Sequence, residues 1–297
     1  MTVVFIACLP KSGSTVLDLL LSSHPRCWGL GEVYQLVRDD SFLWQHLTDP
    51  LCGCSCGKLA VDCEFWSEVT SRFSREDVEE SELRKYEFVL NQASRTFGTD
   101  CTVIDSSKDI SELALLRRIP GINLKIIYLI KDVRAWTTSQ CANEERERRR
   151  ALHDRGINLL AKSRIRRRLE GNAFWIFQLW YRRNRELRDY ITTSGLEHRQ
   201  ISYEALCFSS ESILRNLSEF LGFASDAVSL NIASARSHNI LGNRMRFQRE
   251  KRNLLIYDNR WFGDRKWLLP ALIFPQIMSY NQAEVYGSDA IPEFWSR

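Results

Sequence analysis

Pro10-Lys11-Ser12-Gly13-Ser14-Thr15 follows directly on the apolar run Val3–Leu9. A glycine at this place lets backbone N–H groups converge, and a helix opening on Ser and Thr adds partial positive charge, so the segment suits a phosphate. It is not a Walker A motif, because Lys11 precedes Gly13 instead of following a second glycine. An ordinary strand–helix turn with a solvated lysine explains the same residues. A second segment, KDVRAWTTS, follows the run Leu124–Ile130. Lys131 falls in a loop and Ser139 on the first turns of the next helix, where both can grip one phosphate. The plainer alternative is a surface turn with a Lys131–Asp132 cap. A third lysine, Lys108, comes after Ser106-Ser107 at the end of Cys101–Asp105.

These segments need a frame to bring them together. Short apolar, β-branched runs (Val3–Leu9, Cys101–Asp105, Leu124–Ile130, Arg199–Tyr203) alternate with helical patterns at Thr15–Ser22, Glu82–Phe97, Ser111–Arg118, Phe174–Thr192 and Glu211–Leu221. Runs that are apolar at nearly every position read as strands buried on both faces, hence a parallel sheet. The β-α-β-α-β order predicts an α/β three-layer sandwich with a central parallel sheet. Ligands of open α/β sheets sit beyond the carboxyl ends of the strands, and three of the four ends here present lysine. A multiply anionic ligand is the economical reading.

Composition sets the outer bounds. The chain has 297 residues, 44% apolar and 26% charged, with 14 Gly and 7 Pro. That excludes disorder over most of its length. No apolar stretch is long enough to span a bilayer; the longest, Trp267–Pro275, contains two prolines. No signal peptide is visible, which makes the cytoplasm the expected location. Repeats and low-complexity tracts are absent, so one domain over 1–297 is expected, with a Cys-rich insertion at about 50–66 and a basic helical segment at about 144–190.

Net charge is +4, but residues 144–188 hold 14 Lys/Arg against six Asp/Glu. The interleaved Phe174, Trp175, Phe177 and Trp180 read as the core face of an amphipathic helix, whereas a nucleic-acid surface needs its aromatics exposed. No nucleic-acid partner is therefore expected. The arginines suit the entrance for an acceptor, or contact with an anionic surface. Of nine cysteines, Cys52, Cys54, Cys56 and Cys63 crowd together at a C-x-C-x-C-x6-C spacing unlike that of paired zinc ribbons. Reduced thiols, a disulfide and zinc are all open for this group.

Together the segments resemble the sulfotransferases that use 3′-phosphoadenosine 5′-phosphosulfate (PAPS), and among them the bacterial members related to the tyrosylprotein enzymes. PKSGST looks like their 5′-phosphosulfate loop, and IIYLIKDVRAWTTS like their 3′-phosphate strand–loop–helix. In the latter, Lys131 stands where an arginine is usual and Val133 where proline is. The likeness runs on through VIDSSKDISELALLRRIPG, ISYEAL and SHNILGNRMRF. It implies a P-loop-NTPase-like fold and sulfuryl transfer from PAPS, leaving the product PAP, to a hydroxyl of a carbohydrate, glycolipid or small molecule, with no metal required.

The same resemblance assigns residues. Glu32, in a Gly-Glu turn after the first helix, falls at the general base. Lys11 and Lys108 fall where lysines neutralise charge at the leaving group. Ser237, counted with these as catalytic, opens the segment that closes over the cofactor, with Gly242, Asn243 and Arg246 in it. Lys11, Ser12, Gly13, Ser14 and Thr15 are implied for the 5′-phosphate, Lys131 and Ser139 for the 3′-phosphate, and Tyr203 for a further cofactor contact. A family arginine four residues after Ser139 is replaced by Asn143. Two rival readings use the same residues. In a P-loop kinase, Lys11 and Lys108 serve ATP, although the first lysine is misplaced and no Walker B carboxylate is evident. In a binding module, residues 144–188 hold nucleic acid or an anionic surface.

Overall fold

The computed structural model describes residues 1–38, 52–73, 81–153, 172–223, 231–242, 244–247 and 255–287. Five strands form one wholly parallel sheet: β1 (Thr2–Cys8), β2 (Cys27–Gly31), β3 (Thr102–Lys108), β4 (Asn123–Ile130) and β5 (His198–Ser202), in the order β2-β3-β1-β4-β5. Period-2 alternation sorts β1 between two cores. Val3, Phe5 and Ala7 enter one, and Val4, Ile6 and Cys8 the other.

The helices are α1 (Ser14–Leu21), α2 (Tyr34–Val37), α3 (Trp66–Phe73), α4 (Glu82–Phe97), α5 (Ile110–Leu116), α6 (Val133–His153), α7 (Ala173–Thr193), α8 (Tyr203–Phe208), α9 (Ser210–Leu221), α10 (Leu268–Ile273) and α11 (Pro275–Tyr286). Leucines of α1 and α9 fill the core on one face of the sheet. Side chains of α4, α7 and α11 fill the other. The layered α/β architecture expected from the sequence is the observed one. No helix among the described residues is long and apolar enough to cross a membrane.

Two elements differ from expectation. β2 is not among the runs that the sequence singles out, CWGLG being short with two glycines, yet it pairs in parallel with β3. β3 also runs three residues further than its apolar part. Ser107 donates from its backbone N–H and its hydroxyl to Asp105 Oδ1, at 2.8 and 2.5 Å, which satisfies the polar end of a wholly buried strand. Lys108 is thus the last strand residue, paired with Ala7 across an irregular register. On α7, Phe177 and Trp180 are buried as expected, whereas Trp175 is exposed, with Arg182 over its ring.

β1 lies between β3 and β4, so the chain passes from one side of β1 to the other between these two strands. That switch point opens a crevice at the carboxyl ends of the strands. The free edge of β2 is partly covered by a distant segment: Gly29 N donates to Arg236 O at 3.0 Å, and His238 N to Gly29 O at 2.7 Å.

Candidate active site

A cavity of about 790 Å³ occupies this crevice. Its walls include Lys11, Gly13, Ser14, Thr15, Glu32, Lys108, Lys131, Ser139, Tyr203 and Gly242. The ends of all five strands and the segment 237–242 therefore bring together residues spread over most of the chain. Ser12, Ser237 and Arg246 are not among the walls. Ser12 is buried with its N–H on Leu9 O, and Ser237 shares a hydroxyl–hydroxyl hydrogen bond of 2.8 Å with Ser55. Arg246 donates to Gly242 O and Ile240 O, at 2.7 and 2.8 Å, and so shapes the loop that covers the cavity. Asn243 lies outside the described residues, as do residues 154–171 of the basic segment.

The loop between β1 and α1 is held in an uncommon conformation. Lys11 has φ +71° and Gly13 φ +103°. A Cβ on Gly13 would stand 2.7 Å from Cδ2 of Tyr203, so the aromatic ring reaches this loop only because residue 13 is glycine. No side chain caps α1. Its first amides and its dipole accordingly face the cavity, as an anion site requires. Among the described residues, exposed Lys11 makes no ion pair.

At the ends of β2 and β3, Lys108 Nζ lies 2.5 Å from Glu32 Oε1, with both side chains mostly buried. Lys108, at φ +93°, is held in a backbone conformation costly for a residue bearing Cβ. Gly242, at φ +101°, covers this pair closely: a Cβ there would meet Glu32 Oε1 at 3.4 Å. Glu32 therefore stands at a strand end under a covering loop, where the sequence suggested a turn.

The second anchor is built differently. The N-terminus of α6 is satisfied from within, because Arg134 N and Ala135 N donate to Asp132 Oδ1 and Val133 N donates to Asn281 Oδ1. Burial alone would push the Asp132 carboxyl up, but the Arg134 guanidinium, Asn281 and Tyr286 hold it below the usual carboxylate range. What converges on the cavity here is side chains. Lys131 Nζ and Ser139 Oγ reach Asp258 Oδ2 at 2.9 and 3.1 Å. Arg260 grips the same carboxylate through Nε and Nη2, at 2.6 and 2.8 Å, and Nη2 also reaches Ser139 Oγ at 3.2 Å. Burial opposes the charge on Asp258, yet Arg260 and Lys131 keep it ionised far below its ordinary range. Tyr203 lies between the two anchors, its ring 4.7 Å from Lys131 Nζ and its hydroxyl donating to Ile256 O at 3.0 Å.

Sequence reasoning found neither Asp258 nor Arg260, since IYDNRWF matches no phosphate motif. It also misplaced one member of the cysteine group. Cys54, Cys56 and Cys63 cluster with His238, and Cys52 is not among them.

Chemically, the cavity offers two clusters of donors and cations suited to anions, one on each side of Tyr203, and a carboxylate–ammonium contact at the first of them. A positioned carboxylate can take a hydroxyl proton, and preorganised cations can steady charge developing on a departing oxygen.

No family model and no curated protein sequence matches the chain. Solved structures do. The sulfotransferase domain from the curacin biosynthetic pathway aligns with a TM-score of 0.56, covering 92% of this chain and 97% of that one at 18% identity. The sulfotransferase domain of the Synechococcus olefin synthase aligns at 0.53, covering 93% and 94%, also at 18% identity. The chain therefore has the fold of these sulfotransferase domains.

Proposed function

We propose that the chain is a single-domain, cytoplasmic, PAPS-dependent sulfotransferase acting on a hydroxylated small molecule, glycan or glycolipid. The observation that carries this reading is the 2.5 Å contact between Glu32 and Lys108, beside the uncapped N-terminus of α1. The residues fit the cofactor at both ends. The α1 amides with Lys11 suit a 5′-phosphosulfate, and the cradle of Lys131, Ser139 and Arg260 already holds an anionic group, the Asp258 carboxylate.

In this reading Ser12, Gly13, Ser14 and Thr15 bind the 5′-phosphate, and Tyr203 packs between the two anchors. PAPS, when bound, supplies the sulfuryl group. Glu32 orients the acceptor hydroxyl and takes its proton. Lys11 and Lys108 place positive charge where the leaving phosphate oxygen gains negative charge, an electrostatic contribution made without reorganisation. Gly242 and its loop keep water from the carboxylate. Arg146 and Arg183, on the cavity wall with Glu186, give the acceptor side a mixed-charge mouth.

Thermal-shift titration with PAP, ATP and an oligonucleotide tests the assignment against the kinase and nucleic-acid readings. Stabilisation by PAP well beyond that by ATP or oligonucleotide is expected. A mass-spectrometric screen of hydroxylated acceptors with PAPS then reads sulfation itself. Absence of any PAP response would overturn the proposal.

A further inference from the structure

Away from the cavity, three thiols and an imidazole meet at one point. Cys54 and Cys56 lie in a tight turn closed by the bridge Gly53↔Leu59, in which Cys54 N donates to Lys58 O at 2.8 Å and Gly57 N to Cys54 O at 3.0 Å. Cys63 ends the short 3₁₀ turn Ala60–Asp62, just before α3. His238 arrives from the segment laid along the edge of β2. Their ligand atoms all lie within 4.8 Å of one another, and Cys54, Cys56 and Cys63 are in no disulfide.

The separations fit a tetrahedral ion. Zn²⁺ bonds of ~2.3 Å to sulfur and ~2.0–2.1 Å to nitrogen require S···S of about 3.8 Å and S···N of about 3.5 Å. Cys56 Sγ and Cys63 Sγ are 3.8 Å apart, and His238 Nδ1 stands 3.2 Å from Cys63 Sγ and 3.9 Å from Cys54 Sγ. A disulfide needs sulfurs at ~2.05 Å, well inside the observed spacing.

The surroundings orient the imidazole as a ligand. His238 turns Nδ1 toward the thiols and Nε2 toward Glu64 Oε1, 3.7 Å away, so the ring presents one nitrogen to the cluster and the other to a carboxylate. Phe65 and Phe97 pack near the ring, and Trp66 Nε1 donates to His238 O. An apolar shell around three soft ligands and one imidazole favours zinc over the oxygen-seeking cations.

We propose that Cys54, Cys56, Cys63 and His238 bind one structural Zn²⁺. The ion ties the Cys-rich turn to residues 237–242. Ser55 reinforces the same junction: its Oγ accepts from Asn239 N at 2.8 Å, and its N–H donates to Asn239 O at 3.0 Å. The metal thereby fixes the base of the loop that covers Glu32.

The test is elemental analysis of the full chain purified without added metal. One zinc per chain is expected, falling below roughly a tenth of that in Cys63→Ser and His238→Ala and persisting in Cys52→Ser. Because a ligand variant can fail to fold, two measurements use the wild-type protein. Cobalt exchanged into the site should give the intense d–d bands and thiolate-to-metal charge transfer of a tetrahedral site. Zinc released by a chelator should unmask three reactive thiols per ion. A folded, metal-free chain, stoichiometric iron in place of zinc, or a Cys56–Cys63 disulfide in the peptide map would each overturn the proposal. None of these readouts depends on sulfuryl transfer.

Discussion

Lys131 Nζ lies 2.9 Å from Asp258 Oδ2, inside the cradle proposed for the nucleotide 3′-phosphate. The carboxylate and a phosphate cannot share Lys131, Ser139 and Arg260, so binding must move Asp258 aside. Asp258→Ala is expected to tighten PAP about tenfold, equivalent to about 1.4 kcal/mol, while leaving 5′-AMP unchanged. Isothermal titration with both nucleotides reads the difference. Unchanged PAP affinity would show that Asp258 does not compete for the cradle.

Glu32 and Lys108 form the contact on which the proposed chemistry rests. Glu32→Gln keeps the shape and removes the basicity, so turnover should fall by about 10²–10⁴ while PAP binding is retained. Lys108→Ala should also depress turnover. Lys11→Ala should weaken binding and rate together, because its charge serves the bound phosphate as well. A Glu32→Gln enzyme working at the wild-type rate would remove Glu32 from the mechanism.

Gly13 and Gly242 should respond differently to alanine. At Gly13 the positive φ alone costs roughly 1–2 kcal/mol, and the new methyl meets the Tyr203 ring. Gly13→Ala is therefore expected to lower Tm and to weaken PAP binding more than tenfold. Gly242 also has a positive φ, but there the methyl makes only ordinary contact, 3.4 Å, with Glu32 Oε1, so the strain falls on the loop over the carboxylate and the main loss should be in kcat. Equal effects of the two substitutions on PAP affinity would contradict this division.

Glu204, buried beside the second anchor, accepts from Asp132 N through both carboxyl oxygens at 3.2 Å. Burial, followed by the charge of Asp132, pushes it up to about 8, against ~4.3 in an unfolded chain. The folded state thus holds a proton that the unfolded state loses. The associated stability is fully present below ~4.3 and is lost as pH rises through about 8. Glu204→Gln cannot ionise, so its Tm advantage over wild type should widen from about pH 5 to pH 8 and then level off. A constant gap across that window would exclude a buried proton on Glu204.

How much of this was legible depended on how local each signal is. β1 and β4 announce themselves as apolar runs because both their faces are buried, and α4 spans the same Glu82–Phe97 that its periodicity indicates. β2 was hidden by its two glycines, and the end of β3 by polar residues that pair with Asp105 inside the fold. Lys11, Lys108 and Lys131 could be found because strand ends are local features. Asp258 could not, since it meets Lys131 across 127 residues of sequence. His238 likewise joins the cysteines only through the pairing of its segment with β2.

Ser55 and Ser237 share their hydrogen bond across 182 residues of chain. On a ribosome adding ~5–20 residues per second, that interval takes roughly 10 to 40 s. Throughout it, the outer edge of β2 and the Cys-rich turn have been synthesised but lack the partner that covers them. Every strand of the sheet has emerged before that partner does. The cavity is therefore finished late in the birth of the molecule, and a chain cut short before residue 237 carries all five strand segments but neither the segment that covers the edge of β2 nor the roof over Glu32.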